Sequence, residues 1–60
     1  MKLTITMDLD NAAFADGGSE EVQRILSGLC ERLPEPLTDT NGDLLLHDVN
    51  GNYVGKARIE

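Results

Sequence analysis

The run from Ser19 to Leu33 constrains this chain more than any other, because it alone repeats its apolar residues at helical spacing. Val22, Ile25, Leu26, Leu29 and Leu33 lie three and four apart, with Cys30 at the margin. At about 100° per residue they share an arc of roughly 140°, the width of a core-facing stripe. Glu20, Gln23, Arg24, Ser27, Gly28, Glu31 and Arg32 fill the rest of the wheel. Ser19 is the expected N-cap, Glu20 and Glu21 suit the positive end of the helix dipole, and Pro34 stops the helix. The chain has 60 residues, one small domain, which buries only about 60% of its unfolded surface. A single helix must therefore find its cover in the strands on either side.

Those strands are legible. Lys2 to Asp10 alternates: Leu3, Ile5, Met7 and Leu9 point one way, and Lys2, Thr4, Thr6, Asp8 and Asp10 the other, the pattern of a half-buried strand. Phe14, in the following loop, is expected to fold over the first turn of the helix and close one end of the core. Pro34 to Gly42 is an irregular return. Asp43–Val49 and Tyr53–Ile59 read as strands joined across Asn50-Gly51-Asn52, a hairpin signal. Tyr53, Gly55, Ala57 and Ile59 are expected to face the helix, with Val54, Lys56 and Arg58 on the open face. Leu44, Leu45 and Leu46 cannot all face one side, so at least one belongs on the open face or its edge. The expected architecture is α+β, in the order β-α-β-β. It has a three-stranded, mainly antiparallel sheet with the last strand central and the helix on one face. A sheet with the first two strands adjacent and parallel is the alternative.

The inventory argues against an enzyme. His47 is the only histidine and Cys30 the only cysteine, so nucleophile–base pairs and structural zinc both lack partners. Cys30 reads as a small core residue. No P-loop or G-x-G-x-x-G occurs, and no cofactor or metal is expected. Asp39-Thr40-Asn41-Gly42 and Asp48-Val49-Asn50-Gly51 share a spacing seen in calcium loops. An EF-hand, however, has its glycine at the sixth position and a Glu at the twelfth. Here the glycine is fourth and the twelfth is Asn50 or Ile59, so two Asn-Gly turns are expected. Gly28, in mid-helix away from the stripe, costs about 1 kcal/mol relative to Ala and marks either a neutral surface or a close backbone approach. Met1 to Leu9 carries Asp8 and lacks the continuous apolar region of a signal peptide. With an unpaired cysteine, this points to the cytoplasm.

Charge is the remaining signal. Eleven Asp and Glu against five Lys and Arg give a formal net charge of −6, which repels nucleic acid and anionic membranes and attracts a basic protein. On the expected topology Asp8, Asp10, Asp16, Glu20, Glu21 and Asp48 collect at one end, while Arg24 and Lys56 sit at mid-height and the other cations toward the base. These six carboxylates are the candidate partner-binding residues. A solvated surface is the competing reading, since acids favour helix N-termini and turns regardless of function.

Three segments also carry a resemblance. K-L-T-I-T-M-D-L-D-N-A-A-F from Lys2 to Phe14, E-V-Q-R-I-L from Glu21 to Leu26, and D-V-N-G-N-Y-V-G from Asp48 to Gly55 resemble a group of very small phage and prophage proteins. That group shares D-N-A-A-F, R-I-L and a terminal N-G-N-x-V-G hairpin. The L-C-E-R-L-P-E-P segment and Leu44–Leu46 depart from the pattern. A tiny acidic phage protein without catalytic inventory is similar in kind to anti-CRISPR inhibitors. The resemblance implies binding to the basic DNA-binding surface of a type I surveillance complex, of subtype I-C, inside the host cell. The alternative is a structural or accessory phage protein that homodimerises through its open sheet face or an edge strand.

Overall fold

A computed structural model describes residues 1–60. Strand β1 spans Leu3–Met7, a 3₁₀ turn Ala12–Phe14, helix α1 Ser19–Arg32, strand β2 Leu44–His47 and strand β3 Tyr53–Ile59. The sheet order is β1-β3-β2, with β3 antiparallel to both neighbours. This is the expected α+β arrangement with the last strand central.

The edges of the elements have local causes. The alternation of β1 continues to Asp10, but after the Asp8 N–H bond to Val54 O the ladder goes no further, because Asp10 N–H turns back onto Asp8 Oδ1 at 3.0 Å. The helix starts from Gly18 at φ +76° rather than from a side-chain cap at Ser19, which becomes its first residue. A Cβ at position 18 would lie 3.0 Å from the Phe14 carbonyl oxygen, so glycine lets the 3₁₀ turn sit against the helix start. Phe14 is buried there, as expected.

The core consists of Phe14, Ile25, Leu29, Leu46, Val54 and Ala57, with Met7, Ala13, Val22, Leu33 and Leu44 packed around it. Leu26 is only partly buried and Cys30 is exposed, so the working stripe is narrower than the wheel suggests and the cysteine is not a core residue. Ile59 is fully buried under the irregular connection. There Thr40 N–H donates to the Ile59 carbonyl at 3.1 Å, and Thr40 Oγ1 accepts from Ile59 N–H at 3.1 Å. Leu45 is the leucine left on the open side, beside its register partner Lys56.

One expectation is reversed. Val54 is 4% exposed and belongs to the core, whereas Tyr53 is 57% exposed. The register Leu46↔Gly55, His47↔Tyr53 skips Val54, a β-bulge. A bulge breaks the period of two and re-aims a side chain, so Val54 and Gly55 both turn inward. Gly55 has no alternative: a Cβ would collide with the Thr6 carbonyl and sit 2.9 Å from Met7 Cα.

The helix is off-centre, packing on the 3₁₀ turn and on β2. Leu3 and Ile5, on the apolar face of β1, remain 48% and 40% exposed, and Leu9 lies beyond the strand and exposed. The two outer strands therefore end the sheet differently. On β2, the outward carbonyls are bonded from the helix: Arg32 Nη1 donates to Leu45 O at 2.7 Å and Arg24 Nη2 to His47 O at 3.2 Å. On β1, Lys2 exchanges both backbone bonds with Glu60, and Asp8 N–H donates to Val54 O. The even residues of β1 thus face β3, which turns the N–H and C=O of Leu3, Ile5 and Met7 outward.

Candidate acidic surface

The end of the molecule where β1 finishes, α1 begins and β2 turns into β3 carries the six candidate carboxylates, but they do two different jobs. Asp48 is only 5% exposed. Its Oδ2 accepts from Asn11 Nδ2 at 2.8 Å and Asn52 Nδ2 at 3.2 Å, and its Oδ1 from the backbone N–H groups of Asn50 and Asn52 at 2.9 Å each. Burial pushes this carboxyl up, yet the donors from Asn52, Asn50 and Asn11 together hold it below its ordinary value. Asn11 is the second half of the knot. Its Oδ1 caps the 3₁₀ turn through Ala13 N–H at 2.9 Å while its amide donates to Asp48.

Glu21 is likewise committed. Arg24 donates to both its oxygens, Nε at 2.7 Å and Nη2 at 3.2 Å, and Val49 N–H donates to Oε2 at 2.7 Å. The Arg24 hydrogen bond holds the Glu21 carboxyl below its ordinary value against the opposing effect of burial, and Glu21 in turn raises Arg24. Arg24 thus stands at the acidic end rather than at mid-height, and the end is not of one sign. Glu21 and Asp48 join the helix and the 3₁₀ turn to the β2–β3 turn, and neither is free for a partner.

Asp8, Asp10, Asp16 and Glu20 are exposed. Asp8 and Asp10 do not sit as alternate residues on an extended strand, because the Asp8 side chain turns the chain between them. Asp16 and Glu20 line an open hollow together with Ala12, Ala13, Gly17 and Arg24. The exposed part of the candidate surface is therefore four carboxylates on a framework fixed by the other two. From the sequence Asp48 reads as a turn residue and Asn11 is not among the candidates, while Arg24 is expected at mid-height although its spacing of three from Glu21 marks the pair. The asparagines two and four residues after Asp48 were the available signal, since an Asp at a turn bonds the backbone just ahead of it.

The base is nearer neutral: Asp43 pairs with Arg58 at 2.9 Å and Lys56 at 3.7 Å, and Arg58 reaches Glu60 at 3.9 Å. The Asp39 turn closes on itself through Asn41 N–H. No three His, Cys, Asp or Glu side chains stand close enough to hold a metal ion. His47 meets Tyr53 edge-on at 6.3 Å on the exposed side. No helix is long and apolar enough to cross a membrane. No protein-family model, curated protein or solved structure matches the chain.

Proposed function

We propose that this chain is a non-enzymatic inhibitor of the anti-CRISPR kind, acting in the cytoplasm of a phage host. It sets its acidic end against the basic DNA-binding surface of a type I surveillance complex and excludes target DNA. The observation that supports this reading is the division of labour among the acids. Asp48 and Glu21 are spent on rigidity, which leaves Asp8, Asp10, Asp16 and Glu20 exposed on a fixed framework. Effector channels hold nucleic acid through Lys and Arg, and preorganised carboxylates compete for the same groups.

The test is reversal of Asp10, Asp16 and Glu20 to Lys in pairs, leaving Asp48, Glu21 and Asp8 intact. Folding should persist by circular dichroism, and inhibition of a purified type I complex should fall at least tenfold. Wild-type binding should weaken as salt rises and should be blocked by pre-bound target DNA. Folded pair variants that inhibit like the wild type would remove the acidic surface from the mechanism. Failure to bind any effector at low salt would remove the anti-CRISPR reading.

A further inference from the structure

We propose that β1 is the interface for a second copy of this chain, pairing edge to edge and antiparallel about a two-fold axis at Ile5 to give one six-stranded sheet. The two strand edges differ in what each has left unbonded. The outward carbonyls of Leu45 and His47 on β2 are occupied by Arg32 and Arg24. Leu3, Ile5 and Met7 present their N–H and C=O groups outward with nothing bonded to them, and an open edge of this kind is a template for another strand. The helix leaves this side uncovered, so the exposed Leu3 and Ile5 flank the same edge.

The occupant follows from self-complementarity. An antiparallel pair centred on Ile5 sets Leu3 opposite Met7 of the other copy, and these, with Ile5 on itself, are the residues whose backbone groups face outward. The same register sets Thr4 opposite Thr6 and Lys2 opposite Asp8, each twice by symmetry. Lys2 is the only Lys or Arg with neither an ion pair nor a side-chain hydrogen bond in the monomer. Asp8 uses only its Oδ1, on Asp10 N–H. The one uncommitted cation and a half-committed carboxylate thus meet across non-hydrogen-bonded positions, where side chains come closest. The antiparallel arrangement also sends the two acidic ends to opposite ends of the shared strand pair. This limits the repulsion between two chains of net charge −6. The open sheet face offers no such match, because Thr4, Thr6, Lys56 and Arg58 line it and Asp43 already takes both cations.

The experiment is sedimentation equilibrium over a concentration series, with amide exchange followed residue by residue on the same samples. The wild type should dimerise, and the amides of Leu3, Ile5 and Met7 should gain protection as concentration rises, while those of Thr4 and Thr6 are protected throughout. Lys2→Glu and Asp8→Lys should each weaken the dimer about tenfold, since each places like charges at two cross-strand pairs, and the double reversal should restore it. Ile5→Pro removes an N–H that points away from β3, so it should abolish the dimer while β1 stays paired in the monomer. A chain monomeric throughout the series overturns the proposal. So does a dimer that tolerates Ile5→Pro or that forms without protecting the three outward amides.

Discussion

The two outer strands of this sheet carry similar residues and end differently. Strand β2 lies under the helix, buries Leu46 completely, and has its outer carbonyls bonded by Arg24 and Arg32. Strand β1 has the more regular alternation, yet Leu3 and Ile5 remain half exposed and its outer edge is bare. The difference is made by one short helix rather than by the strands. A 14-residue helix has one face to place, and the Glu21 and Arg24 contacts to the β2–β3 turn draw it toward β2. A small α+β domain can thus engage the outer carbonyls of one sheet edge with its own side chains while the other edge stays bare.

Truncations should separate the two sides most clearly. Leu29→Ala removes a buried side chain on the closed side and should cost about 2–5 kcal/mol, which would leave a domain of this size largely unfolded. Ile5→Ala, made under conditions where the monomer dominates, should cost about 1 kcal/mol, because the side chain is already 40% exposed. Denaturant titration of both variants measures the contrast. Equal losses would mean that β1 is buried in solution and that the asymmetry is misplaced.

Acid should act on the closed side. Asp48 and Glu21 are held below their ordinary values in the folded state. As pH falls, the unfolded chain therefore takes up protons first. The stability these groups supply is fully present above the ordinary carboxylate range and drains away as pH drops below about 4 toward their folded values. Stability measured against pH should fall over that window, and Asp48→Asn with Glu21→Gln should flatten the slope. An unchanged slope in the double variant would assign acid sensitivity to the exposed carboxylates instead.

What could be read in the sequence follows the same divide. Periodicity of 3.6 and of two located the helix and all three strands, and the Asn-Gly hairpin with β3 central followed from chain order. Periodicity says which way a side chain points and not whether anything lies above it, so the shared face of Leu3 and Ile5 is legible while their exposure is not. The bulge at Val54 is invisible for a related reason: one extra residue shifts the phase between β2 and β3, and no local pattern in Tyr53–Ile59 marks where the shift falls. The acidic end was legible as a cluster of charge. Its division into structural and exposed members depends on Asn11 meeting Asp48, Glu21 meeting Val49 and Arg24 meeting His47, pairings that no local pattern encodes; only the Glu21–Arg24 pair, three residues apart on the helix, is local.

The smallest expected effect tests how the closed edge is built. Gly28 lies one helical turn from both Arg24 and Arg32, the two residues that reach over to β2, and lines a shallow hollow with them, Leu46 and His47. A Cβ added there meets nothing within 4 Å, so Gly28→Ala should recover the helix penalty of glycine, up to about 1 kcal/mol. That corresponds to a rise in Tm of about 4–8 °C for a domain near this length. The arginine bonds to the Leu45 and His47 carbonyls should survive, and the variant should associate as the wild type does, since β1 is untouched. A gain in Tm with stronger association would mean that the methyl group displaces an arginine and opens the second edge. No gain at all would mean that residue 28 is not held in helical conformation in solution, so that the two arginines reach β2 from a helix interrupted between them.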